Sequence, residues 1–196
     1  MNTTNQTSRR RRSLRLASYD YSLPGAYFIT ICCHRKKIFF GDIVSGEMVL
    51  NDLGRQVAAV WEGLPDALPG VELDEYVVMP NHFHGIIVLT GRTAQSNAIQ
   101  RVRGDKGSLA AQGRLTLGQI IRAFKAKTGY LLRKLAPEFA WQRNYFEHVI
   151  RNDKALDRIR EYITNNPRRW ELDRENIQAH GQDEFDLWLA SFGQKK

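Results

Sequence analysis

Two stretches, VELDEYVVM and HFHGIIVLT, are separated only by Pro80 and Asn81. Val, Ile, Tyr and Phe dominate both, as a pleated and half-buried backbone favours. A Pro-Asn pair between such runs turns the chain, so the two stretches pair as an antiparallel hairpin. This is the strongest constraint on the fold, because parallel neighbours would need a crossover of a dozen residues or more. The remaining chain must extend a sheet around this hairpin and cover it.

The other segments do so in a readable order. AYFITICCHR (Ala26 to Arg35) is aromatic and β-branched and reads as a strand. DIVSGEMVL reads as a small hairpin turning at Ser45-Gly46. Asn51 caps a helix in which Leu53, Val57, Val60, Trp61 and Leu64 recur at helical spacing. Thr116 and Gln119 form a capping-box pattern, with Leu115 and Ile120 as its staple. Leu117, Ile120, Ile121, Phe124, Leu131, Leu132 and Leu135 give that second helix an apolar face, and Arg122, Lys125, Lys127, Arg133 and Lys134 line much of the rest. WQRNYFEHVI (Trp141 to Ile150) reads as a strand. Asn152 caps the helix DKALDRIREYITNN, which Pro167 ends because a residue before proline avoids the α region. The order β-α-β-β-α-β, with an additional C-terminal helix, predicts an α+β fold with a ferredoxin-like antiparallel sheet and two helices on one face.

Composition narrows the class. The chain has 196 residues, 42% hydrophobic and 26% charged, as expected of one soluble globular domain with a real core. The net charge is +8. Arg9, Arg10, Arg11, Arg12 and Arg15 supply five of these charges in an acid-free arm, residues 1–16, leaving +3 for the rest. A basic arm on a mildly basic body points to a polyanionic partner, first of all nucleic acid. An Arg- and Ser-rich transit peptide is the competing reading of the arm. No apolar region follows it, so a secretory signal is not expected, and no apolar run is long enough to span a bilayer. Cys32 and Cys33 are adjacent and point to opposite faces of a strand, so no structural disulfide is expected and a reducing cytoplasm fits. Residues 91–114 carry several basic and few large apolar side chains, a long loop by ordinary standards. The tail, residues 176–196, is polar except for FDLWLASF, read as a short docking helix.

The chemistry-bearing residues cluster in two places. His82 and His84 share one face of their strand, about 7 Å apart along the chain, and two imidazoles so placed can converge on a divalent ion. Alone, such a pair is also compatible with two half-exposed histidines at a strand end. Tyr162 and Asn166 stack one helical turn apart beside Leu156, Ile159 and Ile163. A tyrosine beside a metal-ligating amide suits attack on a phosphodiester. Tyr145 and His148 compete for nucleophile and third ligand. His34 beside Cys32 and Cys33 invites a zinc reading, but consecutive residues close poorly on one ion. Trp141 and Trp170 are candidates for stacking bases.

ELDEYVVMPNHFHGIIVL, WQRNYFEHVIRN and REYITNNPRRW, in this order, closely resemble the REP-associated tyrosine transposases, a single-tyrosine class of HUH endonucleases. The similarity spans roughly residues 10 to 175 and includes the arm and YDYSLPGAYFITIC. It implies that residues 17–175 form the transposase domain and that His82 and His84 bind a divalent cation, Mg²⁺ or Mn²⁺. It further implies Tyr162 as nucleophile and Asn166 as third ligand, a position where related insertion-sequence transposases more often carry glutamine. Family members cleave single-stranded DNA associated with hairpins of palindromic repeats, through a 5′-phosphotyrosine, and can rejoin the ends. The arm, the 91–114 loop and the basic side of the second helix, Arg122 and Lys125 included, would then hold DNA phosphates.

Two rival readings fit the same residues. A metal-dependent nucleotide hydrolase is disfavoured because the next alternate strand position after His84 is Ile86. A repeat-hairpin binder that does not cleave would keep every basic feature and differ only in chemistry. The sequence is compatible with a monomer or a homodimer.

Overall fold

The computed structural model describes residues 20–91 and 115–193. The N-terminal arm, with its five arginines, and the long basic loop therefore lie outside the described residues. Strand β1 (Gly25–Cys32) precedes the hairpin β2 (Gly41–Val44) and β3 (Glu47–Leu50). Helices α1 (Asp52–Glu62) and α2 (Leu64–Ala67) follow, then strands β4 (Val71–Val78) and β5 (His82–Leu89). Helix α3 (Leu117–Leu132), strand β6 (Phe146–Ile150), helix α4 (Asp153–Asn165) and helix α5 (Glu184–Gly193) complete the chain.

The main sheet has the order β4-β5-β1-β6 and is antiparallel throughout, which is the predicted ferredoxin-like arrangement with a small hairpin added. Strand alternation divides its side chains cleanly. Tyr27, Ile29, Ile31, Phe83 and Ile87 face α1 and α3, where they pack with Val57, Trp61, Ile120 and Phe124. Phe28 and Ile86 face the other way and pack with Ile159, Tyr162 and Ile163 of α4 and with Phe185 and Leu189 of α5. The sheet is thus sandwiched between two helical layers. Gly85 sits where α1 comes closest: a Cβ there would lie 2.6 Å from Trp61. The segment set apart in the sequence as a polar tail contributes α5 to the second of these cores.

The caps and the turn behave as read. Asn51 accepts from the Gly54 amide, Asn152 from the Ala155 amide, and Thr116 and Gln119 make both halves of a capping box. Ser45 and Gly46 both take positive φ, as a two-residue hairpin turn requires.

Three expectations are corrected. The segment from Trp141 is not a strand over its whole length. Only Phe146–Ile150 pairs with β1, while Trp141 forms an isolated bridge to Cys33. The reason is that α3 captures the first half: the Trp141 indole donates to Thr128 Oγ1, and Lys125 donates to the carbonyls of Gln142 and Arg143. Leu135 lies beyond the end of α3 and is exposed rather than on its apolar face. Finally, Asn166 keeps helical dihedrals (φ −57°, ψ −40°) despite preceding Pro167. The helix ends by tightening into a 3₁₀ turn, Pro167–Leu172, because proline has no N–H to continue the α ladder.

Candidate metal centre and nucleophile

Register places the histidines. His82 pairs with Cys32 and His84 with Thr30, on the sheet face that α4 covers. Each ring is then fixed through its Nδ1. His82 Nδ1 lies 2.8 Å from Asn81 Oδ1, whose amide nitrogen is already donating to the carbonyls of Lys36 and Glu175. That oxygen can only accept, so His82 carries its proton on Nδ1 and presents a lone pair on Nε2. His84 Nδ1 lies 2.9 Å from Thr30 Oγ1. The two Nε2 atoms face each other at 2.9 Å. Holding the remote nitrogen in this way fixes both ring orientations and the His82 tautomer, while the Thr30 hydroxyl, which can donate or accept, suits either tautomer of His84.

The third member arrives from the end of the 3₁₀ turn. Asp173 Oδ2 lies 3.6 Å from His82 Nε2 and 4.0 Å from His84 Nε2. Burial, above all, pushes both imidazoles down to about 3, so they are neutral near pH 7 and these contacts are not ion pairs. Among the described residues, no Lys or Arg pairs with Asp173, which is only 1% exposed. A buried carboxylate beside two imidazole nitrogens, both of which can present lone pairs, makes a place where a cation is favoured. Ions held by nitrogen and oxygen at about 2.0–2.2 Å set their donors roughly 3 to 4 Å apart, as found here. The donor set fits a divalent ion, and it is the one such His/Cys/Asp/Glu group among the described residues.

Tyr162 closes the site. Its hydroxyl lies 3.3 Å from His84 Nε2. Arg160, two residues earlier, fastens α4 to the irregular part of β4 through two hydrogen bonds to Asp74, of 2.8 and 2.6 Å. Burial raises the Tyr162 phenol well above its usual value, and Asp173 adds to the shift. Asn166, one turn on, donates from Nδ2 to Asp173 Oδ2 at 2.9 Å, while its Oδ1 is buried with no hydrogen-bond partner. This leaves a buried acceptor oxygen, next to the Asp173 carboxylate, open to a further partner.

The competing residues separate from this centre. Tyr145 packs against the core on the opposite sheet face. His148 sits 6.1 Å from the Trp188 ring, and His34 is exposed. Cys32 and Cys33 are buried thiols pushed up by desolvation, so neither offers a ready thiolate. Trp141 is part of the core packing, and Trp170 stacks on His82 at 6.0 Å. Arg122 is exposed, whereas Lys125 is half-buried and bound to two carbonyls. Asp173 was missed in the sequence because it lies beyond a proline, on no periodic element.

No protein-family model matches the chain. An uncharacterized protein of Haemophilus influenzae is 45% identical over 175 residues, covering 84% of this chain and 92% of that protein. The chain belongs to the same family. Among solved structures, the chain is similar to a REP-associated tyrosine transposase bound to a REP hairpin. The TM-score is 0.49 at 18% identity, covering 78% of this chain and 73% of that one. It is also similar to a candidate transposase from Deinococcus radiodurans R1, with a TM-score of 0.42 at 14% identity, covering 77% and 95%. Among the described residues, no helix of this family member is long and apolar enough to cross a membrane.

The buried imidazoles have a consequence for stability. Unfolded, each titrates near 6.5; folded, near 3. Between these values the unfolded chain binds protons that the folded chain refuses, so stability is lost as pH falls from about 6.5 towards 3. Glu175 adds a loss of the same sign below 4.5: burial opposes its ionisation, but Arg174 and Lys36 hold it down to about 2. The metal-free protein is expected to melt at least about 5 °C lower at pH 4.5 than at pH 7. A double variant, His82→Gln with His84→Gln, should show a flatter profile in the same thermal scans; an equally steep one would contradict this account.

Proposed function

We propose that this protein is a metal-dependent tyrosine transposase, an endonuclease and strand transferase of the HUH class. Its substrate on this reading is single-stranded DNA associated with hairpins of palindromic repeats. The observation that carries the reading is the Tyr162 hydroxyl, 3.3 Å from His84 Nε2 at the edge of the His82–His84–Asp173 group. A nucleophile poised at a cation site is what phosphodiester cleavage needs.

His82, His84 and Asp173 would hold the ion, with Asn166 Oδ1 as a fourth donor. A bound divalent ion supplies positive charge that polarises the phosphate and favours phenolate over phenol. Two imidazoles among the donors suit Mn²⁺ at least as well as Mg²⁺. Asn81 and Thr30 keep both imidazoles oriented, and Asn166 keeps the Asp173 carboxylate turned inwards. The Tyr162 oxygen attacks phosphorus, the bond from phosphorus to the 3′-oxygen breaks, and the proton lost by the phenol ends on that oxygen. The products are a 5′-phosphotyrosine and a free 3′-hydroxyl. No water is consumed, so attack by another 3′-hydroxyl reverses the step and joins a new end.

The arm arginines Arg9, Arg10, Arg11, Arg12 and Arg15, together with the exposed Arg122, would bind DNA phosphates. Lys125 has little left to give DNA, because its ammonium is bound to backbone carbonyls. The rival reading, a hairpin binder that does not cleave, draws on the burial of Tyr162, which is only 4% exposed. Incubation with labelled single-stranded hairpin oligonucleotides and Mn²⁺, followed by a denaturing gel, separates the two. A DNA-bearing protein band that disappears with a chelator is expected. Tight binding without any such band would favour the binder.

A further inference from the structure

Strand β4 breaks its own alternation. Val71, Leu73, Tyr76 and Val78 all pack into the core on the α1 and α3 side, although Leu73 and Tyr76 are three positions apart. Strict alternation would put those two on opposite faces. Leu73 pairs with Ile87 and Tyr76 with Gly85, so β4 has two residues where β5 has only Ile86. Asp74 and Glu75 therefore form a β-bulge, a device that re-aims a side chain next to many active sites. Ile86, opposite the bulge, packs with Ile159, Tyr162 and Ile163 of α4.

The bulged Asp74 is held at both oxygens. Its Oδ1 accepts from the Glu75 amide at 2.7 Å and from Arg160 Nε at 2.8 Å. Its Oδ2 accepts from Arg160 Nη2 at 2.6 Å. Two parallel bonds from one guanidinium fix direction as well as distance. The apolar contacts of Ile159 and Ile163 with Phe28 and Ile86 are non-directional, and hold α4 close to the sheet more than they set its rotation. We infer that Asp74 and Arg160 are positioning residues, which together set the rotation and height of α4 so that the Tyr162 hydroxyl meets His84. The inference rests on the role of Tyr162 proposed above and adds what places that oxygen. An error of about 1 Å in such a placement can cost on the order of 10²-fold in rate. The Arg160 side chain is 41% exposed, so the pair adds little to global stability and its loss falls on the rate of attack.

The test compares the unaltered full chain with Asp74→Asn, Arg160→Gln, the two changes together, and Asp157→Asn. The last removes the other carboxylate beside Arg160, 3.4 Å away on α4 itself, and leaves β4 untouched. Adduct formation is timed in a single turnover with Mn²⁺ and saturating hairpin oligonucleotide, and DNA affinity is measured separately. Fluorine NMR of chains labelled with meta-fluorotyrosine, with the Tyr162 signal assigned through Tyr162→Phe, reads the surroundings of that ring without DNA or metal. Asp74→Asn and Arg160→Gln should each slow adduct formation at least about tenfold at saturation and displace the Tyr162 signal. DNA affinity should change less than about twofold in Asp74→Asn, because only the placement of the attacking oxygen is altered. The double variant should be no slower than the slower single one, since the two residues act as a unit, and Asp157→Asn should match the unaltered chain. An unchanged rate in Asp74→Asn, losses that multiply in the double variant, or an equal loss in Asp157→Asn would overturn the inference. If no form gives an adduct, the unaltered chain included, the proposed function fails and the fluorine signal decides for the pair. Displacement in both single variants but not in Asp157→Asn then keeps Asp74 and Arg160 as what places Tyr162, and an undisplaced signal removes them.

Discussion

Tyr162→Phe is expected to yield a folded protein that binds hairpin DNA and forms no covalent adduct with it. The substitution deletes one oxygen. The ring remains stacked on Phe185 and edge-on to Phe28, so the core of α4 against the sheet is preserved. What disappears is the hydroxyl at 3.3 Å from His84 Nε2, and with it the only proposed nucleophile. Cleavage should fall on the order of 10⁴-fold or more, as for the loss of a nucleophile elsewhere. Melting should shift little, because one modest hydrogen bond is worth about 1 kcal/mol. Tyr145→Phe serves as the matched control: Tyr145 packs on the opposite face of the sheet, so adduct formation should persist. Gel analysis of both variants beside the unaltered chain reads the result directly.

The second large effect concerns the ion. His82→Ala with His84→Ala removes two of the three grouped donors and should abolish both Mn²⁺ binding, measured calorimetrically, and cleavage. Hairpin binding should survive, since phosphate binding is assigned to Arg122 and the arm arginines and not to the histidines. The double variant also leaves Asn81 Oδ1 and Thr30 without their ring partners, at a cost of about 2–4 kcal/mol, so its melting must be checked first. Asp173→Asn is the smaller change, although its amide can accept only one of the two hydrogen bonds that the carboxylate takes from Asn166 Nδ2 and the Glu175 amide, so its melting is checked as well. It keeps shape but removes the only carboxylate of the group, and should weaken Mn²⁺ binding and cleavage about 10- to 100-fold. Normal cleavage by Asp173→Asn would mean that the carboxylate is not a ligand, and normal cleavage by the histidine double variant would remove the metal reading entirely.

Much of this arrangement was legible from residues that act locally. The Pro80-Asn81 turn fixed the β4–β5 hairpin, and the two-residue period of β5 put both histidines on one face. Caps at Asn51, Thr116 and Asn152 announced three helices through contacts three residues away. Where reading failed, a distant partner had intervened. Thr128 and Lys125 of α3 pulled Trp141, Gln142 and Arg143 off the strand. Asp173 carries no periodic signal, and it enters the site only because Asn166 stays helical and the chain then tightens through Pro167–Leu172. Likewise, FDLWLASF reads as a docking helix, but only the fold reveals that its Phe185 stacks on Tyr162 and its Asp186 reaches Arg174. Burial of the phenol was equally invisible, since it depends on α5.

In the proposed reaction Tyr162 becomes covalently attached to DNA at the His82–His84–Asp173 centre. It is tested most directly by trapping the complex formed with a hairpin oligonucleotide in Mn²⁺, digesting protein and DNA, and locating the nucleotide-bearing peptide by mass. The nucleotide is expected on the peptide containing Tyr162, linked through a 5′-phosphate. A nucleotide on the peptide containing Tyr145, or a cleaved strand with no nucleotide on any peptide, would contradict it.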